Sequence, residues 1–344
     1  MIRPSVRLLS AAALIAIFVP VFPAAAQQHV PPAPDASAPQ APAAPGQSAT
    51  EPSAPAPTAA PVFPKPNPAD FTASSPTKEA VNAFLTANWG FDENRVWQVE
   101  AILTTQAPNV SEVVVFIGDK TGKEKPARFA FFVLPDGKHI ISGESIINFG
   151  DHPFAEFRQA MQQGADGPYR GSAAKDLELV EFADFQCPHC KEAQANMDKL
   201  VADFPKARIV FQNFPIVSIH PASVQAAEYG LCVNKQGGST AFFQFAAAVF
   251  DGQDGLATPD GAALTLNSAV IKAGLDPTKV SACAATPEIK ANVDASIKLG
   301  TDAGINSVPT LVINGHEVPV GQIPYETLKK IVEFQAKLDG VSGQ

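Results

Sequence analysis

The sequence predicts an α/β domain of order β-α-β, helical block, β-β-α, preceded by a small α+β domain. Three observations carry this. The stretch "LELVEFADF" is a near-continuous apolar run of strand length that leads directly into a helix-patterned stretch. Several helical segments separate it from "PTLVING" and "HEVPV", two short strands around an Asn314-Gly315 turn. Upstream lie Val-, Ile- and Phe-rich segments separated by turn residues.

The chain has 344 residues, room for about two domains. Arg3 and Arg7 precede a short apolar core, Leu8 to Phe22, broken by Pro20, and Ala24-Ala25-Ala26 stands before Gln27. This pattern is that of a secretory signal peptide at 1–26, so an exported protein is expected, with the periplasm as its compartment. No cysteine follows the cleavage site to carry a lipid anchor. Residues 27–70 are almost wholly Pro, Ala, Ser, Gln and Thr, too poor in apolar side chains to offset the cost of ordering a backbone, and read as a disordered linker.

A small domain is expected over 71–163. "TKEAVNAFLTANWG" has helical spacing, with Val81, Phe84 and Leu85 on one face. "RVWQVEAILT", "SEVVVFIGD", "ARFAFFVLPDG" and "HIISGESI" read as four strands, with a hairpin at Pro135-Asp136-Gly137 because Gly137 tolerates positive φ. "PFAEFRQAMQQ" reads as a helix and 164–175 as a linker. The larger domain takes 176–344. After its first strand, Met197, Leu200, Val201 and Phe204 share a helix face. "ARIVFQNFP" is a second strand, and Pro221 suits the first turn of the helix that follows. "YETLKKIVEFQAKL" closes the chain as a helix.

Net charge is -9 without a block of like charges, which gives no footing for nucleic-acid binding. The four cysteines, Cys187, Cys190, Cys232 and Cys283, all lie in the C-terminal half and allow three connectivities. Cys187-Pro188-His189-Cys190 invites four readings. Zinc needs a second close pair of ligands, which is missing. Covalent haem needs CxxCH, and Lys191 follows Cys190. A structural crosslink fits poorly where a buried strand runs into a helix. A redox pair fits best, because a thiolate at a helix N-terminus meets unpaired N–H groups and the positive end of the macrodipole. Cys187 is then the nucleophile, Cys190 one turn on the resolving thiol, and His189 a cation that stabilises the thiolate.

These residues carry a resemblance. "VEFADFQCPHC" resembles the active-site segment of the DsbA family of thioredoxin-fold disulfide oxidoreductases. "GINSVPTLVING" is similar to that family's cis-proline loop, and "FPIVSIHPASVQAAEYGLC" to the approach to its helical insertion. The resemblance implies a thioredoxin fold with a helical insertion and a thiol–disulfide exchange enzyme that needs no cofactor and no metal. It implies that Pro309, after Val308, is the cis-proline that presents backbone groups to an extended substrate. It also implies that Glu181 is the buried acid that exchanges a proton with Cys190. Asp184, closer in sequence, is a lesser candidate, which alternation puts on the opposite face only if the strand is still regular there. With Cys187 and Cys190 paired locally, Cys232–Cys283 is the remaining disulfide. Exported cysteine-containing proteins are the implied substrates, and a membrane protein the implied redox partner.

"LPDGKHIISG" resembles the hairpin of the DsbC/DsbG dimerisation domain, which raises a second reading: a homodimeric isomerase or reductase. Val308 and Pro188-His189 lean toward an oxidase. A third reading, a non-catalytic binding module on a stalk, leaves the set of Glu181, Cys187, Cys190 and Pro309 unexplained.

Overall fold

The computed structural model describes residues 63–341 other than 123–124 and 144. The signal peptide and most of the linker lie outside the described residues. The linker's expected end is not: Pro68–Asp70 forms a 3-10 turn capped by the Asn67 side chain, and Phe71 bridges to Ile102. Phe71 packs on the small domain's core, which anchors this stretch despite its proline content.

Helix α1 (Lys78–Trp89) starts where Thr77 Oγ1 accepts the Ala80 N–H at 3.2 Å, and it buries Val81, Phe84, Leu85 and Ala87 on one side. Beside it runs an antiparallel sheet in chain order. Its strands are β1 (Arg95–Thr104), β2 (Ser111–Asp119), β3 (Ala127–Val133), β4 (His139–Ser142) and β5 (Ser145–Asn148). The Pro135-Asp136-Gly137 turn joins β3 to β4: Gly137 adopts φ 66°, and Asp136 Oδ1 accepts the N–H groups of Lys138 and His139. The single strand expected over "HIISGESI" is instead two, folded back at Gly143 with φ 60°. A residue free to take a positive φ allows the tight reversal that periodicity alone does not reveal. The core joins α1 to Val113, Val115, Phe131, Val133 and Ile140.

The second sheet has order β10-β9-β7-β8-β6. It is built from β6 (Tyr169–Gly171), β7 (Glu178–Ala183), β8 (Arg208–Asn213), β9 (Thr310–Ile313) and β10 (His316–Pro319). β7 and β8 are parallel, and the other pairings are antiparallel. The helices are α2 (Ala155–Gly164), α3 (Pro188–Asp203), α4 (Ser223–Asp251), α5 (Pro259–Lys272), α6 (Pro277–Ala284), α7 (Pro287–Asp302) and α8 (Tyr325–Leu338). α3 and α8 cover one face, where Leu179, Ile209, Leu311 and Ile313 meet Met197, Leu200, Leu328 and Val332. α2 and α7 cover the other, where Val180, Phe182, Val210 and Val312 meet Met161 and Ile297. Both faces of the central strands are thus closed, so β7 and β8 read as continuous apolar runs rather than as alternation.

Two expected boundaries need correction. The segment expected as a linker, 164–175, contains β6, which pairs with β8 and closes that edge of the sheet. Helix α2, expected in the small domain, buries Met161 in the core of the second sheet. β6 is too short to give a periodic signal; α2 is legible as a helix, but tertiary packing decides which core it joins. α3, α5, α6 and α7 each carry proline in the first turn, where no donor is lost. Pro221 is not among them, since α4 begins at Ser223.

The helical insertion, α4 to α7, packs on one large cluster that also contains Phe185, Phe211, Cys187 and Cys190. α4 is kinked at Gly238, where φ is 74°. The disulfide Cys232–Cys283 joins α4 to α6, and Cys232 is fully buried. Among the described residues no helix is long and apolar enough to cross a membrane.

Candidate functional site

β7 delivers the site. It is parallel to β8 and buried on both faces, and after Ala183 the chain turns and enters α3. Cys187 is the N-cap of α3, with extended backbone, and Pro188 occupies the first helical position. The carbonyl of Cys187 accepts the N–H groups of Cys190 at 3.1 Å and Lys191 at 3.3 Å. The turn is held from outside as well: the Gln253 amide donates to the carbonyls of Phe185 and Cys187 at 2.8 and 2.9 Å.

The two thiols are free and unequal. Cys187 keeps 6% of its surface exposed and Cys190 none. The Cys187 thiol is brought down to about 6, chiefly by a hydrogen bond from Cys190, then by the backbone N–H groups of Cys190 and His189; burial and the Asp184 charge oppose this. Cys190 is pushed far up, by burial first and by the neighbouring Cys187 next. Environment alone thereby makes the two thiols unequal in acidity.

The Val308–Pro309 bond is cis, and the Val308 carbonyl oxygen lies 3.9 Å from Cys187 Sγ. Residues more than a hundred apart in sequence meet here because β9 is antiparallel to β7. Glu181 is buried, on the α3 side of β7. Its Oε1 accepts the Gln194 amide at 2.8 Å, and the same amide reaches the Cys190 carbonyl at 3.2 Å. Burial raises the Glu181 carboxyl to about 7, partly offset by Arg170. Arg170 comes from β6, so the strand missing from the sequence reading contributes to the electrostatics of the site.

His189 stands beside the pair at the start of α3. Its ring is exposed and pairs with Glu192 at 3.1 Å, and Glu192 is the main reason its pKa is raised. Its backbone N–H lowers the Cys187 thiol, and the Cys187 charge in turn adds to the raised pKa of the ring. Asp184 lies just past the end of the strand. Regular alternation ends with the strand at Ala183, and Asp184 turns inward, fully buried, with its own N–H 3.4 Å from Cys190 Sγ. Gln194 and His220 were not singled out from the sequence. The i,i+4 spacing of Cys190 and Gln194 was a usable signal. His220 offered none, because it sits in an irregular loop.

A family model described as thioredoxin matches residues 164–334. This match places a thioredoxin domain in the C-terminal half of the chain. The matched segment begins ahead of β6 and so takes in the whole second sheet. A thioredoxin-like oxidoreductase from Silicibacter pomeroyi is 25% identical, with TM-score 0.45, over 52% of this chain and 98% of that one. Pseudomonas aeruginosa DsbA2 is 26% identical, with TM-score 0.42, over 49% and 93%. Among curated proteins, Na(+)/H(+) antiporter NhaA 3 of Salinispora tropica is 32% identical over 91 residues, 26% of this chain and 14% of that protein. The chain spans less than a quarter of the length of the curated relatives it matches.

Proposed function

We propose that this protein is an exported thiol–disulfide oxidoreductase that closes disulfides in other exported proteins. The observation that carries the reading is the unequal acidity of the pair: Cys187 at about 6 and Cys190 pushed far up, with a buried carboxyl at about 7 in the same site. A thiolate that is stable at neutral pH favours the reduced enzyme, and so makes its disulfide an oxidant.

The cycle starts with Cys187–Cys190 closed. A substrate thiolate attacks Cys187 Sγ, the enzyme disulfide breaks, and Cys190 leaves, taking a proton from Glu181. A second substrate thiolate attacks the substrate sulfur of the mixed disulfide and expels Cys187 as a thiolate. Two electrons pass from substrate to enzyme, and a membrane redox partner removes them. Pro309 and Val308 present backbone groups beside Cys187 to an extended substrate chain. The N-terminal signal pattern supports export, with the periplasm as the compartment.

One observation favours a second reading, a dimeric isomerase or reductase. On the outer face of the small sheet Phe132, Ile141 and Ile146 stand in register across β3, β4 and β5, and Phe132 and Ile146 are 41% and 64% exposed. The reduction potential of the Cys187–Cys190 couple decides between the two. A value near about -120 mV is expected for the oxidase, and one near about -270 mV would replace it with a reductant. Sedimentation at micromolar concentration reports the dimer directly.

A further inference from the structure

The cycle above leaves one buried pair unused. Asp184 stands three residues ahead of Cys187, and its backbone is part of the site: its carbonyl accepts the Cys187 N–H at 3.1 Å. Its carboxylate is sealed from solvent and accepts three hydrogen bonds. Oδ1 takes the Gln186 N–H at 2.7 Å, and Oδ2 takes the Ile216 N–H at 2.7 Å and His220 Nδ1 at 2.8 Å. His220 comes from the loop between β8 and α4 and is itself fixed. Its N–H donates to the Ile216 carbonyl at 3.0 Å, and its carbonyl accepts the Ser223 hydroxyl at 2.7 Å. Gln186 fastens the same loop, its Oε1 accepting the Ala222 N–H at 2.9 Å.

A buried carboxylate beside a sulfur that must become an anion is a like-charge neighbour, and it opposes the thiolate. Two backbone donors and a neutral side-chain amide would hold this loop equally well. An imidazole adds what they lack, a side chain able to set a positive charge against the carboxylate. We infer that His220 is a positioning residue for the redox pair, held against Asp184 so as to offset the negative charge that this carboxylate places beside Cys187. The other ionisable groups around the pair are arranged differently. Glu181 lies on the α3 side of β7, His189 and Glu192 pair on the exposed face of α3, and Asp254 is exposed after α4. Among the described residues none of these bonds to the Asp184 carboxylate.

This inference rests on the oxidoreductase reading, and its test is read on the reduced pair without turnover, so the two can fail separately. The readout is the pH dependence of thiolate absorbance and of alkylation at Cys187 in the purified, reduced full-length protein, with the redox equilibrium against glutathione alongside. Asp184→Asn removes the opposing charge, so Cys187 stays ionised to lower pH, and alkylation near pH 5 rises about three- to tenfold. His220→Ala exposes the carboxylate's charge and lowers that rate by a similar factor. His220→Asn keeps a donor in place of Nδ1 but carries no charge. It is expected to melt like the parent and to titrate like His220→Ala. Shifts in the same direction from Asp184→Asn and His220→Ala would reduce the contact to a loop fastener. Parental titration in His220→Asn would do the same, and that variant decides the matter even if Asp184→Asn does not fold.

Discussion

Cys187 and Cys190 sit at the mouth of a helix, with N–H groups converging on one sulfur and a raised carboxyl below the other. Cys232 and Cys283 link α4 to α6 within the insertion and are already joined. Both pairs border the same apolar cluster. Burial alone therefore does not decide which cysteines react. The helix terminus and the polar groups gathered at it do, by stabilising a charge on one sulfur and withholding it from its neighbour. The insertion offers no comparable gathering, and its cysteines serve as a staple.

The sharpest way to break this contrast is to replace Cys187. Cys187→Ser is expected to abolish peptide oxidation while leaving the Cys232–Cys283 bond intact; retained oxidase activity would remove the assignment. Next comes labelling of the reduced-site protein against pH. Alkylation should occur at Cys187, fall about tenfold per unit below about pH 6 and level off above it. The same depressed pKa makes a stability statement. Against an ordinary thiol near 9.0, ionised Cys187 stabilises the reduced fold fully above pH 9, and this is lost as pH falls to 6. Labelling of Cys232 or Cys283 in the native protein would erase the contrast from the other side.

Removing the staple should cost stability rather than chemistry. Cys232→Ala with Cys283→Ala opens a crosslink of sequence separation 51 and is expected to lower unfolding free energy by about 4 kcal/mol, read by denaturant titration. The redox equilibrium of the other pair should not move.

Glu181→Gln gives the smallest expected effect on stability and has a distinctive sign. Burial raises this carboxyl from 4.5 to about 7, so its ionisation weakens the fold as pH rises through that interval. The variant should therefore match the parent near pH 4 and exceed it above pH 7, by at most about 3 kcal/mol. Its turnover should fall on the order of a hundredfold, the low end for a positioned acid–base group. A variant that loses neither activity nor pH-dependent stability would remove Glu181 from the mechanism.

What the sequence conveyed follows the same physical divide. Cys187, Cys190, Val308 and Pro309 were legible because each sits in a local pattern, a motif at a strand–helix junction or a proline ahead of a strand. α1 and the helix face of Met197 and Leu200 were legible because periodicity survives wherever one side meets a core. Asp184 and His220 were not, because their meeting depends on two irregular turns 36 residues apart. The His189–Glu192 pair was missed for a related reason: adjacency to the motif said nothing of what its ring would bond to. β6 is three residues long and carries no alternation to detect.

That short strand governs how the molecule can be divided. A fragment begun at Asp176 would strip the cover from β8 and leave its hydrogen-bonding edge bare, an invitation to intermolecular pairing. It would also lose the methionine plug that α2 inserts beneath Val180 and Phe182. A catalytic piece meant to stand alone must keep the polar stretch that looks dispensable.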